Sequence, residues 1–162
     1  MKIGVPKEIK PQEHRIGLTP DSVKTLISEG HEVLVENNGG FEAGFDNEQY
    51  TSIGAKIVSK AEDIFNDADI IVKVKEPQPG EVKMIKENQI VYTYLHLAAA
   101  KKLTEGLIKS KGICIAYETV TDDNGRLPLL APMSAVAGRM SVQAGAHCLE
   151  KNQNGRGLLL GG

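Results

Sequence analysis

The sequence predicts an α/β fold: a mostly parallel sheet with helices on both faces, followed by a long connecting helix. Three observations lead there. Short β-rich runs alternate with helical segments over most of the chain, which is the pattern of βαβ units. The length of 162 residues fits one domain with a substantial core. After Pro132 the alternation stops, and residues 133–150 form one long helical pattern rich in alanine and glycine.

The elements follow in order. Residues 2–5 (KIGV) form a short strand ended by Pro6. A polar loop with Pro11 leads to Thr19, an N-cap with Pro20 at the first helical position and Asp21 in the first turn. That helix carries Val23, Leu26 and Ile27 on one face and stops at Gly30. Residues 31–36 (HEVLVE) alternate as a strand, and Asn38-Gly39-Gly40 is a turn. Asp46 caps a second helix that ends near Gly54. A short strand at 56–58 and a helix around 61–66 follow. Residues 70–75 (IIVKVK) and 90–95 (IVYTYL) are the strongest strands, with helices near 79–87 and 101–110 between and after them. Residues 113–117 (ICIAY) are another strand, and DDNG at 122–125 marks a tight turn. The closing GLLLGG reads as the start of a strand, and its abrupt end reads as a break within a longer parent chain.

Composition narrows the function. The net charge is -2 and basic residues are interspersed with acids, which gives no electrostatic case for nucleic acid or an anionic membrane. Aromatic residues are 4% with no tryptophan, too few for a base-stacking surface. No apolar run reaches the length of a membrane span, and the N-terminus lacks a signal-peptide core, so the expected location is the cytoplasm. Cys114 and Cys148 lie in apolar settings and are expected as buried reduced thiols. No zinc-type spacing of Cys and His exists, no metal is expected, and there is neither G-x-G-x-x-G nor a Walker sequence.

Ligands of open parallel sheets bind beyond the carboxyl ends of the strands. Four polar residues belong there: Arg15 after the first strand, Lys75 at the end of IIVKVK, His96 after IVYTYL and Glu118 after ICIAY. Arg15 is either a solvated surface arginine or a planar fork for a carboxylate. Lys75 can set a positive charge beside a substrate oxygen; the commoner case is an exposed strand-end lysine, and Lys73 reads as one. His96 is the candidate for proton transfer, against a core histidine with a satisfied hydrogen bond. His14, His31 and His147 hold weaker positions. Glu118 is as suited to holding a loop as to chemistry. Tyr92 and Tyr94 share a strand face and read as packing residues.

The segments MKIGVPKEIK, EHRIGLTP, VKVKEP, TYLHLA, AYETV, LAPMSAVAGRM and GLLLGG, in this order, resemble the N-terminal part of alanine dehydrogenases. The wider group includes nicotinamide nucleotide transhydrogenases and saccharopine-forming lysine enzymes; the histidine in TYLHLA favours alanine dehydrogenase. The resemblance implies a Rossmann-like substrate domain over residues 1–131, a connecting helix over 132–151 and, over 152–162, the start of a linker to an NAD-binding domain. It implies reversible oxidative deamination of L-alanine to pyruvate and ammonia, with NAD as hydride acceptor. By resemblance Arg15 grips the substrate carboxylate, Lys75 contacts and polarises the substrate oxygen, and His96 is the general acid/base. Met133 lies at the inter-domain cleft as a substrate contact, and Ser134 touches NAD. Met133 also suits plain packing, and Ser134 suits a helix cap. A carboxylate clamp fixes orientation, and one base serves both the ammonium proton and the attacking water.

Family members continue into a glycine-rich dinucleotide fold that also supplies a catalytic aspartate. Neither is within these 162 residues, so the NAD site is expected mostly outside this chain and the chain alone is expected to be inactive. Three other readings stand beside this one. They are a non-catalytic carboxylate-binding module, a transhydrogenase-like subunit completed by a partner chain, and an assembly role for the 133–150 helix. The family forms homo-oligomers, commonly hexamers.

Overall fold

The computed structural model describes residues 1–161; Gly162, the last residue of the GLLLGG segment, lies outside the described residues. The chain divides into two compact units, Met1–Tyr117 and Glu118–Gly162.

The first unit is an alternation of strand and helix. It contains β1 (Lys2–Val5), α1 (Pro20–Ser28), β2 (Glu32–Glu36), α2 (Asn47–Thr51), β3 (Lys56–Val58) and α3 (Ala61–Asp67). It continues with β4 (Ile70–Val72), α4 (Pro79–Val82), β5 (Ile90–Thr93), α5 (Lys101–Ser110) and β6 (Ile113–Ala116). All six strands pair in parallel, in the order β3-β2-β1-β4-β5-β6. This is the doubly wound, Rossmann-like order, in which the sheet grows one way from β1 and then the other from β4. The expected fold class is therefore the observed one.

Side-chain parity divides the core between the two faces of the sheet. Ile3, Val5, Val33 and Val35 pack with Val23 of α1 and Tyr50 of α2. Leu34, Ile71 and Val91 pack with Ile64 and Phe65 of α3 and Leu107 of α5. Each such aliphatic side chain stabilises the fold by about 1.5–3 kcal/mol on full burial. Local signals set the helix starts. Thr19 Oγ1 accepts the Ser22 N–H, and Asp46 forms a capping box with Gln49.

The second unit holds a tight turn closed by the Gly125 N–H to the Asp122 carbonyl, then α6 (Ala131–Leu149). Met133, Val136, Met140 and Val142 of α6 are exposed.

Several elements are shorter than the sequence suggests. β4 stops at Val72, β5 at Thr93 and β6 at Ala116, while α4 ends at Val82. Residues 158–160 form no strand; their leucines are exposed and pair with no ladder. A strand needs a neighbour for its N–H and C=O groups, and apolar content alone does not supply one. The cysteines are free thiols as expected, but Cys148 is exposed on α6 and Cys114 is half-buried, so neither is a fully buried core thiol. Burial still pushes the Cys114 thiol up.

Candidate functional site

Three candidate residues follow three adjacent strands. Arg15 is in the loop after β1, Lys75 follows β4 and His96 follows β5, and these strands are neighbours in the sheet. The β1/β4 boundary is the point where the connections reverse direction, the place at which open parallel sheets generally bind ligands. The β1–α1 loop approaches closely. A Cβ on Gly17 would stand 2.6 Å from the Val72 carbonyl oxygen, so only glycine lets this loop pass over the end of β4.

Arg15 is half-exposed and its guanidinium is oriented by one carboxylate. Nε donates to Glu13 Oε1 at 2.8 Å and Nη2 donates to Glu13 Oε2 at 2.7 Å. The Glu13 side chain is only 7% exposed, so the arginine is anchored from beneath while its outer edge faces solvent. A guanidinium carries five donors, and this clamp uses two. Hydrogen bonding from Arg15 holds the Glu13 carboxyl down at about 2, and the nearby Lys75 charge adds to this. Arg15 is raised in turn, chiefly by its bond to Glu13, with the Tyr94 and Tyr117 hydroxyls close enough to contribute. Arg15, Lys75 and the segment leading to His96 thus form one electrostatic neighbourhood. Glu13 and Arg15 also border a small surface hollow with Lys7, Glu8, His14 and Glu42, where His14 Nδ1 and Glu42 Oε2 are hydrogen-bonded.

Lys73 overturns the expectation of an exposed strand-end lysine. It is 0% exposed and lies between two buried carboxylates, with Nζ 3.1 Å from Glu8 Oε2 and 2.8 Å from Glu81 Oε1. The Glu81 contact lacks hydrogen-bond geometry and is held by charge. An isolated buried ammonium would be prohibitively costly, so the lysine is tolerated only because both partners come with it. Lys75, two residues on, is only partly buried.

His96 is exposed, and its backbone adopts the left-handed conformation, φ 49° and ψ 44°. This turns the chain sharply from the end of β5 into a one-turn 3-10 helix, Leu97–Ala99, at the carboxyl edge of the sheet. Tyr92, Tyr94 and Tyr117 form an edge-on cluster, with ring centroids 4.7 Å (Tyr92–Tyr117) and 4.4 Å (Tyr94–Tyr117) apart. The packing role expected for Tyr92 and Tyr94 is what their rings do, and Tyr94 also faces Arg15 electrostatically. Burial pushes the Tyr117 hydroxyl well above its ordinary value, and that hydroxyl donates to the Lys73 carbonyl.

Met133 and Ser134 lie on α6, in the second unit. Met133 is 38% exposed. Ser134 is inside the first turn rather than at the cap, and its Oγ donates to the Leu130 carbonyl at 3.3 Å. Glu118 begins the second unit within a 3-10 turn, Tyr117–Thr119.

Residues 4–137 match the family described as alanine dehydrogenase/PNT, N-terminal domain. The chain belongs to this family. Its relatives in the alanine dehydrogenase/PNT family cover it from end to end. The alanine dehydrogenase of Halomonas elongata is 52% identical over all 162 residues, that of Staphylococcus epidermidis 53%, and that of Methanococcus maripaludis 48%. The chain spans 44%, 43% and 43% of those proteins respectively, less than half of each. A solved L-alanine dehydrogenase, 53% identical, superposes on the whole chain with a TM-score of 0.91, and 45% of its own length is covered. A transhydrogenase from Sinorhizobium meliloti, 24% identical over 76% of this chain, shares the fold with a TM-score of 0.71.

Proposed function

We propose that this chain is the substrate-binding part of an L-alanine dehydrogenase, acting on L-alanine and pyruvate. The single observation that supports the reading is that Arg15, Lys75 and His96 follow three adjacent strands, β1, β4 and β5, beside the switch point. We read these three strand ends as carrying a fork, a point charge and an imidazole toward one ligand.

In this reading the outer edge of the Arg15 guanidinium binds the substrate carboxylate through paired N–H donors, with Glu13 behind it fixing the plane. Lys75 faces the second oxygen, that of pyruvate or of the hydrated intermediate, and stabilises negative charge there. His96 takes a proton from the alanine ammonium and releases it to solvent. It later takes one from the water that adds to the oxidised α-carbon and passes it to the nitrogen, which leaves as ammonia. NAD, held outside these residues, would supply the hydride acceptor for this chemistry.

The described residues do not build a dinucleotide cradle. The β1–α1 connection, where a glycine-rich turn would carry a pyrophosphate, is instead the long loop that presents Arg15, and the sequence has no G-x-G-x-x-G. No step through NAD is therefore assigned to residues of this chain, and Ser134 is proposed only as a contact to it. Residues 132–162 are proposed to lead toward the nucleotide-binding part, in a homo-oligomeric cytoplasmic enzyme.

Titration calorimetry tests the site directly. Pyruvate should bind the 162-residue chain, and Arg15→Ala should weaken it by about tenfold or more, the loss of a charge-assisted bond. Equal pyruvate affinity in Arg15→Ala would sink the assignment. Activity that appears on adding a separate NAD-binding domain would distinguish a dehydrogenase part from a binding module without catalysis.

A further inference from the structure

Lys75 lies beyond the last ladder residue of β4, so the sheet does not fix it. Side chains take over the ladder's task. The Val74 and Lys75 N–H groups both donate to Glu8 Oε1, at 2.6 and 3.2 Å. The Lys75 carbonyl accepts from Thr93 Oγ1 at 2.9 Å. Both backbone polar groups of Lys75 therefore end on side chains, and both of those are buried: Glu8 is 6% exposed and Thr93 0%. The other Glu8 oxygen is held by Lys73, and Lys73 faces Glu81. Glu81 Oε2 in turn accepts the Gln78 N–H at the start of α4. The anchor thus runs from α4 through Glu81, Lys73 and Glu8 to the backbone of Lys75.

Glu8 belongs to the same loop as Arg15. One carboxylate therefore ties the segment that carries the guanidinium to the segment that carries the ammonium. Resting on the substrate-site reading above, we propose that Glu8 and Thr93 are positioning residues. They clamp the Lys75 backbone, set its ammonium relative to Arg15, and so determine recognition of the keto oxygen of a 2-oxo acid. Thr93 is fully buried, and both Glu8 oxygens are already committed to Lys73 and to the Val74 and Lys75 N–H groups, so the two residues act through Lys75.

Two ligands separate this role from a general structural one. Pyruvate offers a carboxylate and a keto oxygen; propionate offers the carboxylate alone. Thr93→Val preserves shape and removes only the hydroxyl. It should raise the pyruvate dissociation constant about tenfold, the loss of one bond, while leaving propionate within about twofold. In a Lys75→Ala background the Thr93→Val effect should vanish, since the two changes act through one contact. Equal weakening of both ligands, no weakening of pyruvate, or an effect that persists without Lys75 would each overturn the proposal. Amide hydrogen exchange supplies a readout that needs no ligand. Glu8→Gln should speed exchange at Lys75 by about tenfold, because the amide acceptor is weaker and its partner Lys73 is left half-paired. If Lys75→Ala leaves pyruvate affinity unchanged, the substrate-site reading fails at Lys75. The exchange rate then still decides the clamp: faster exchange supports it and an unchanged rate overturns it.

Discussion

Glu13 is the residue whose charge state the site depends on most visibly. Its carboxyl is held down at about 2 by the bonds from Arg15. Its folded value is depressed, so its contribution to stability is present above the ordinary 4.5 and is lost as pH falls from there through about 2. Arg15 is half-exposed, so solvent screens the pair and the global effect is small. The local effect is measurable. Carbon-detected NMR should find Glu13 titrating near 2, and Arg15→Gln should return it toward 4.5. A Glu13 that titrates at 4.5 with Arg15 in place would contradict the clamp. The same scale shows what the sequence hid. Lys73 and Lys75 are alike in IIVKVK, and both read as strand-end lysines. Yet Lys73 lies between Val72 and Val74, both buried, directly after β4, a central strand of a parallel sheet covered on both faces. In such a strand every side chain is enclosed, and a lysine there needs carboxylates brought to it. That was the available signal. The partners themselves were not legible, because Glu8 is 65 residues away in sequence.

At the scale of elements, what was legible was what is local. The caps at Thr19 and Asp46 bond within three residues of themselves, so spacing alone reveals them. The end of β4 was misplaced because side chains from other segments take the backbone groups of residues 73–75, through Glu8, Thr93 and the Tyr117 hydroxyl. The junction of β4, α4 and the β1–α1 loop accordingly depends on the Glu8–Lys73–Glu81 triad. Lys73→Met would leave two carboxylates buried without their cation, a change that typically costs about 3–5 kcal/mol. Urea unfolding should register that loss. Adding Glu8→Gln and Glu81→Gln should recover part of it, because no buried charge then remains unpaired. A Lys73→Met chain as stable as the parent would contradict the triad's role.

At the scale of the whole molecule, the doubly wound order follows from the alternation of strands and helices, and that was legible. The division at Tyr117 was not, because the sequence runs on through AYETV without a break in composition. The candidate residues divide the same way: Arg15, Lys75 and His96 belong to Met1–Tyr117, Met133 and Ser134 to the second unit. The segment after the division holds the 122–125 turn, and Arg126 beside it is exposed, its N–H bonded only within that turn. Arg15 is exposed too, but its side chain is clamped by Glu13 and the next residue, Ile16, is buried. A protease needs several residues of extended, accessible chain, which the second region offers and the first does not. Limited trypsin digestion should therefore cut first after Arg126. The resulting piece, residues 1–126, should keep its pyruvate affinity within about twofold, since the whole charged constellation and its Glu8 and Thr93 supports remain in it. First cleavage after Arg15, or loss of pyruvate binding on cleavage at Arg126, would mean that the first unit does not hold the site by itself.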